Sequence, residues 1–144
     1  MPNHVPKGFG TVTPFLTVKD AARLIEFMKQ AFGAQVAFRM DGPNGTVAHA
    51  EVKIGDSMLM IGEAPEGQEV RSMLHLYMPD TDAVYKSALD AGAVSIREPA
   101  DQFYGDRSGG VRDFCGNQWW IATHIEDVSM EEMQRRMAKM TAKA

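Results

Sequence analysis

The stretch QFYGDRSGGVRDFCGNQWW, residues 102–120, contains both tryptophans of the chain, four of its glycines and several charged side chains. This is more specialised chemistry than a simple connection between elements needs. We predict a strand at residues 108–113, a turn at 114–117 and a final strand at 118–124. Residues 102–107 are then the loop that precedes this hairpin.

Glycines repeat at a fixed distance along the chain. Gly33 and Gly92, which end the two predicted helices, are 59 residues apart, and the turn glycines Gly55 and Gly116 are 61 residues apart. A period near 60, with a strand, a helix and three strands in the same order each time, predicts an internal duplication. We expect an α+β fold of two tandem βαβββ modules in a single domain of residues 1–144. Module one is predicted at about 11–62, the linker at 63–71, module two at about 72–124 and a C-terminal helix at about 129–141.

The elements of the two modules are predicted from capping residues and from hydrophobic periodicity. One helix is expected from an N-cap at Asp20 to Gly33, and another from Asp80 or Thr81 to Gly92. The other predicted strands cover residues 11–18, 35–40, 46–54, 57–61, 72–78 and 94–97. In the strand at 46–54 we expect Ala48, Ala50, Val52 and Ile54 on one face and His49, Glu51 and Lys53 on the other.

Length, charge and cysteine content limit the function classes. A chain of 144 residues, 44% hydrophobic and 24% charged, is long enough for one well-buried core. The net charge of -4 and scattered basic residues give no basis for nucleic-acid binding. No long apolar run or signal peptide is recognised, so we expect a cytoplasmic protein that does not bind membranes. The single Cys115 cannot form an internal disulfide, and we expect it to be incidental rather than nucleophilic.

The predicted C-terminal helix has a methionine stripe. Ser129 and Glu132 have the spacing of a capping box, and the apolar positions that follow are Met130, Met133, Met137 and Met140. We expect this stripe to dock on the chain's own sheet or on a partner subunit, whereas a methionine metal site is remote.

Three segments together carry a family resemblance. They are TPFLTV at residues 13–18, FMKQAFGA at 27–34, and residues 102–120 followed by ATHIEDV at 122–128. In this order, over nearly the whole chain, the sequence resembles the vicinal oxygen chelate superfamily. Within it, the sequence is similar to the glyoxalase/bleomycin-resistance/dioxygenase-like proteins, and specifically to the PhnB-like branch. The resemblance implies a cup-shaped mixed sheet made by the paired modules, helices outside, a pocket inside and a homodimer.

The resemblance also implies where a catalytic metal would bind. Such proteins place metal ligands at symmetric strand positions, which the resemblance assigns here to Thr13, Leu59, Met73 and Trp120. A divalent cation needs several oxygen or nitrogen donors, and leucine, tryptophan and a thioether do not supply them for a hard metal. We therefore expect no cofactor and no metal. If a divalent metal does bind, its ligands are expected to be His49, Glu51 and His75.

Eight side chains on the predicted inner face and in the loop above it are candidates for ligand binding: His49, Glu51, His75, Tyr77, Phe103, Tyr104, Arg107 and Trp120. His75 interrupts an otherwise apolar strand and would cost free energy if buried without a partner. His49 is either a hydrogen-bonded histidine on a half-solvated strand or a binding residue. Trp120 is expected to form a pocket wall. Asp106 and Arg107 are expected to form an ion pair that holds the loop, and the loop aromatics are a lid or pocket filler.

Three function classes are compatible with these residues. The first is a protein that binds a small, partly apolar molecule in a cup lined by Phe15, Met73, Tyr77 and Trp120. The second is a metal-dependent lyase, isomerase or dioxygenase with non-standard ligands, and the third is a dimeric scaffold without a ligand. The sequence leaves the ligand and any catalysed reaction open. The linker at 63–71 allows the modules to pair within one chain or to exchange between two.

Overall fold

The computed structural model describes residues 1–142. Module one consists of β1 (Phe15–Val18), α1 (Ala21–Phe32), β2 (Gln35–Asp41), β3 (Val47–Ile54) and β4 (Ser57–Glu63), with a 3-10 turn at Pro43–Gly45. Module two consists of β5 (Met73–Tyr77), α2 (Thr81–Asp90), β6 (Val94–Asp101), β7 (Asp106–Arg112) and β8 (Gln118–His124). The C-terminal helix α3 (Met130–Ala142) follows.

Each module forms one four-stranded sheet, and the two sheets have the same topology. The strand orders are β1-β4-β3-β2 and β5-β8-β7-β6. In both sheets the first strand pairs in parallel with the fourth, and the other pairs are antiparallel. The register also repeats. Phe15 lies opposite Met60, and the residues 60 positions later, His75 and Trp120, lie opposite each other as well. The predicted α+β fold of two tandem βαβββ modules with a C-terminal helix is therefore confirmed.

Both module helices begin at the predicted caps. The Asp20 carboxylate accepts a hydrogen bond from the backbone N–H of Arg23, and that of Asp80 accepts one from Ala83. α1 ends at Gly33, whose φ of 68° is the left-handed conformation that glycine adopts without a steric penalty.

The core lies between the helices and one face of each sheet. Its members include Leu16, Val52 and Ile61 from module one and Val111, Trp119 and Ile121 from module two, each less than 2% exposed. The Phe32 ring of α1 packs on Trp119 of β8 with a centroid distance of 4.8 Å. One continuous core thus joins the modules and leaves the other face of each sheet uncovered by the helices.

Most predicted strands have different ends in the structure, and the changes are largest in β1, β6 and β7. β1 begins at Phe15 rather than at residue 11, although the carbonyl of Pro14 still accepts a hydrogen bond from the N–H of Met60. Because proline has no N–H, Pro14 cannot extend the ladder as a donor. β6 continues to Asp101 rather than ending at Arg97, and β7 begins at Asp106 rather than Ser108, because the two strands pair along their whole length as a hairpin.

The predicted orientation of Ala48 is wrong. Met40 lies opposite His49, and Asp41 lies opposite Val47, so Ala48 is an extra residue in β3. Such a β-bulge shifts the alternation of faces by one position. Val47 therefore takes the buried place and Ala48 is exposed, whereas Ala50, Val52 and Ile54 are buried as predicted.

The turn between β7 and β8 is organised by one buried carboxylate. Asp113, which is 4% exposed, accepts hydrogen bonds from the backbone N–H groups of Cys115 (2.8 Å) and Asn117 (3.0 Å) and from the indole of Trp119 (2.7 Å). The amide oxygen of Asn117 in turn accepts the N–H of Ser72, directly before β5. This network ties three strands of module two together.

α3 is held to the chain by polar contacts. The guanidinium of Arg136 donates to the carbonyl of Phe103 (3.0 Å) and to the carboxylate of Glu126 (2.7 Å). No α3 residue is buried, and Met130, Met137 and Met140 are more than half exposed. The methionine stripe therefore does not dock on the chain's own sheet. None of the helices within residues 1–142 combines the length and the apolar character that crossing a membrane would need.

Replacing Asp113 with alanine is expected to lower the free energy of unfolding by about 3 kcal/mol, because several buried donors lose their acceptor. Urea denaturation followed by circular dichroism measures the change. As a control, Asp56→Ala removes an exposed turn carboxylate that bonds only to the neighbouring Ser57 hydroxyl, and should cost less than about 0.5 kcal/mol. Equal effects of the two substitutions would contradict the proposed importance of the Asp113 network.

Candidate functional site

The face of both sheets that points away from α1 and α2, here called the open face, carries most of the candidate residues. Strand register defines its central rows, since cross-strand partners share a face. The row of module one is Phe38, Glu51, Met60 and Phe15, and the row of module two is Arg97, Gly110, Trp120 and His75. The two rows occupy equivalent positions in the duplicated sheets but differ at every residue.

His49 and Glu51 form a polar pair among aromatic rings in module one. The Nε2 atom of His49 lies 3.3 Å from the Glu51 carboxylate, and about a quarter of each side chain is exposed. The ring centroids of Phe15 and Phe38 are 5.8 Å and 6.2 Å from that of His49. His49 is thus hydrogen-bonded on a half-solvated strand, and its role in binding stays a prediction.

Trp120 lies flat on the sheet of module two and is held from both sides. A Cβ atom at Gly110 would come within 2.7 Å of the Trp120 ring, so the ring occupies the space that a side chain on β7 would fill. The Arg97 guanidinium lies over the same ring, 4.9 Å from a ring centroid. The indole N–H of Trp120 donates to the Gln118 side chain (3.1 Å). These contacts fix Trp120 as part of the surface of the open face.

His75 and Tyr77 continue this surface along β5. Their ring centroids are 5.1 Å apart, and both side chains are exposed. A groove of about 360 Å³ lies between β1 and β5, and its lining includes Phe15, Met73 and His75. The groove therefore connects the residues of module one with those of module two.

Phe103 and Tyr104 are separate from this group. Their rings pack edge to face, with centroids 5.2 Å apart, in the loop between β6 and β7. The Phe103 carbonyl bonds to Arg136 of α3, so this loop contacts the C-terminal helix.

The predicted ion pair between Asp106 and Arg107 is wrong. Successive residues of a strand point to opposite faces, so these two side chains have different partners. Arg107 donates to Asp82 of α2 (2.8 Å) and to Asp101 (3.0 Å), and this lowers the pKa of Asp82. Asp106 is buried and bonds to the Nδ1 atom of His124 (2.8 Å). Arg107 thus lies beside α2 and away from the other candidates.

His124 bridges two carboxylates at the end of β8. Its Nε2 atom lies 2.7 Å from Asp127, and its Nδ1 atom bonds to Asp106. Both bonds, that to Asp127 most strongly, raise the pKa of His124, because only the protonated ring donates to both carboxylates at once. The bridge fastens the segment that leads to α3, and it occupies both ring nitrogens.

The structure corrects the predicted metal-ligand positions. Leu59 is 4% exposed and lies in the core, whereas its neighbour Met60 lies on the open face. Thr13 lies before β1, and Met73 lies opposite Gln118 rather than Trp120. The paired positions are Phe15 with Met60 and His75 with Trp120. Only His75 among these four is a metal-ligand type.

The proposed alternative ligands also do not converge. His49 and Glu51 bond to each other, and His75 packs on Tyr77. Within residues 1–142, no three His, Cys, Asp or Glu side chains are arranged to hold a metal ion. The donors of the described residues therefore do not fit a divalent metal centre.

Cys115 is not a nucleophile in this environment. Its Sγ atom donates to the carbonyl of Lys19 (3.3 Å), and burial raises the pKa of the thiol to about 12. The thiol stays protonated at neutral pH, and the thiolate is the reactive form.

Sequence reasoning missed several residues of the open face, among them Arg97 and Phe38. Both lie in strands next to bulges, where alternation along the strand gives the wrong face. The repeat could have identified them as an equivalent pair. Phe38 and Arg97 are 59 residues apart, as are Gly33 and Gly92.

Comparisons with known proteins agree with this architecture. The model of the Glyoxalase/Bleomycin resistance protein/Dioxygenase superfamily matches residues 8–121. The uncharacterized protein Mb0911c of Mycobacterium bovis is 34% identical over 139 residues, which cover 88% of this chain and 91% of that protein.

Solved structures share the fold at lower identity. The crystal structure of TioX from Micromonospora sp. ML1 has a TM-score of 0.68 and 22% identity, and the match covers 81% of this chain and 100% of that chain. A glyoxalase/bleomycin resistance protein/dioxygenase from Nocardioides has a TM-score of 0.61 and 19% identity, with 84% and 87% covered. The chain therefore belongs to the Glyoxalase/Bleomycin resistance protein/Dioxygenase superfamily.

Proposed function

We propose that this protein binds a small, partly apolar molecule on the open face without transforming it. The observation that carries the proposal is the exposure of large apolar side chains along that face: Phe15, Phe38, Met40, Met73 and Tyr77 are 48–67% exposed. A contiguous apolar surface in water favours association with an apolar partner, because covering it removes that area from solvent. The polar groups of His49, Glu51 and His75 would then orient the bound molecule.

The same residues give less support to a metal-dependent lyase, isomerase or dioxygenase. Such chemistry needs several donors that converge on one cation, and the donors on the open face are paired with each other or with aromatic rings. We also propose that the protein belongs to the PhnB-like branch, because the segments at residues 13–18, 27–34 and 102–128 resemble that branch. We propose a cytoplasmic location for the protein, because a free thiol such as that of Cys115 persists in a reducing compartment.

We propose further that the protein is a homodimer in which α3 packs on the same helix of its partner. Seven of the eight uncharged residues of α3 lie on one side of the helix at 100° per residue: Met130, Met133, Gln134, Met137, Ala138, Met140 and Thr141. None of them is buried by the described part of the chain.

The methionine positions favour a second copy as the occupant of this helix face. They are symmetric about Arg135, so an antiparallel pair places Met130 against the partner's Met140 and Met133 against the partner's Met137. A two-fold interface requires this kind of self-complementarity.

The ligand-binding proposal is tested with N-phenyl-1-naphthylamine, a neutral probe that fluoresces in apolar surroundings. We expect saturable binding to the wild type, and roughly tenfold weaker binding to the double variant Phe15→Ser/Tyr77→Ser, which removes apolar contact area. Val12→Ser, which changes an exposed apolar residue outside the open face, should bind as the wild type does. Equal affinity of the double variant, or binding that a chelator abolishes, would overturn the proposal.

The homodimer is tested by sedimentation velocity at micromolar concentration. We expect a dimer for the wild type and a monomer for Met137→Glu, because a charge within the paired methionines would be buried without a partner. Arg135→Gln changes the net charge by the same amount on the charged side of α3 and should leave the dimer intact. A monomeric wild type, or a Met137→Glu variant that remains dimeric, would refute this interface.

A further inference from the structure

The open face of module two has a one-sided charge. Strand register places fourteen residues on it: Val94, Arg112, Gln118, Met73, Arg97, Gly110, Trp120, His75, Ala100, Ser108, Ala122, Tyr77, Asp106 and His124. Two of these are arginines and two are histidines, and the carboxylate of Asp106 is buried and bonds to His124. The exposed charges of Arg97 and Arg112 therefore give this surface a positive potential that favours anions.

Arg97 and Arg112, like Arg23 and Arg71 elsewhere, have no ion-pair partner within residues 1–142, whereas Arg39, Arg107, Arg135 and Arg136 each contact a carboxylate. Half of the eight arginines are thus neutralised by a carboxylate of the described residues, and the other half are not. An arginine without a carboxylate, next to an exposed aromatic surface, is available to a ligand with negative charge.

Arg97 is also held in place without being neutralised. Its Nη2 atom donates to the hydroxyl (2.5 Å) and to the carbonyl (3.3 Å) of Ser108, and its guanidinium lies over the Trp120 ring. These contacts leave the Nε and Nη1 donors unused by the described residues. The side chain is exposed, so a ligand on the open face reaches these donors directly.

The modules differ at the position of Arg97, whereas Lys53 of module one occupies the place of Arg112. Phe38 occupies the place of Arg97 in module one, and Glu51 occupies the place of Gly110. A ligand with a charged end and an apolar body would therefore be oriented across the groove between β1 and β5, with its charged end over module two.

From these observations we propose that the ligand is an organic anion, such as an aromatic or apolar carboxylate or sulfonate, and that Arg97 binds its anionic group. The apolar body of the ligand lies against Trp120, Tyr77 and Phe15. This inference rests on the proposed function, because it concerns the same face. It adds the chemical class of the ligand and the residue that selects it.

Two probes with the same ring system test the inference. 8-Anilinonaphthalene-1-sulfonate carries a sulfonate that N-phenyl-1-naphthylamine lacks, and displacement by the neutral probe identifies the fraction bound at the shared site. We expect Arg97→Met to weaken sulfonate binding at that site at least tenfold, since a charge-assisted hydrogen bond is lost. The affinity for the neutral probe should stay within about twofold, because methionine keeps an apolar stem on Trp120.

Arg97→Lys provides a second variant that keeps the charge, and it should give an intermediate affinity for the sulfonate because an ammonium lacks the planar fork. Arg39→Met is the matched control, as Arg39 is already paired with Asp41, and should bind both probes as the wild type does. Added salt should weaken sulfonate binding to the wild type more than to Arg97→Met. Circular dichroism and urea denaturation verify that each variant is folded.

The outcomes separate this inference from the proposed function. If both probes compete for one site and Arg97→Met binds the sulfonate as tightly as the wild type does, the role of Arg97 is refuted and the proposed function stands. If the neutral probe shows no saturable binding to the wild type, the proposed function itself fails, and the inference fails with it.

Discussion

The hydrogen bond from the Trp119 indole to the buried carboxylate of Asp113 determines how the second sheet is built. It fixes Trp119 in the core, where the ring packs on Phe32 of α1 and joins the two modules. Because successive residues of a strand point to opposite faces, Trp120 must then lie on the open face. Gly110 provides the space in which the Trp120 ring lies flat. A structural constraint on one tryptophan thereby places the other where a ligand can contact it.

The duplication gives two sheets with one register and two different chemistries. Equivalent positions hold Phe38 and Glu51 in module one, but an arginine and a glycine in module two. This divergence creates an asymmetric surface from a symmetric backbone, with aromatic rings around the His49–Glu51 pair on one side and Arg97 over Trp120 on the other. The fold accommodates metal catalysis or simple binding, and the side chains on its open face decide between them. Here they favour recognition of an amphipathic anion.

The sequence predicted the repeated modules, both helix starts and the last strand because these depend on local signals: turn glycines, capping carboxylates and alternation. It failed where the partner of a residue lies far along the chain. The bulge at Ala48 is defined only by pairing between strands, and Arg107 bonds to Asp82 on a helix that strand alternation cannot locate. The environment of Arg97 depends on Trp120, which lies two strands away in the sheet.

The central claim is that ligands bind on the open face beside Trp120, and the two indole N–H resonances in a ¹H–¹⁵N NMR spectrum test it most directly. Trp119 and Trp120 are adjacent in sequence but lie on opposite faces of β8, and Trp120→Phe assigns their signals. During titration with N-phenyl-1-naphthylamine, the account predicts a saturable shift of the Trp120 indole signal and little change at Trp119. A larger shift at Trp119, or no shift of either signal at saturating probe, would contradict it.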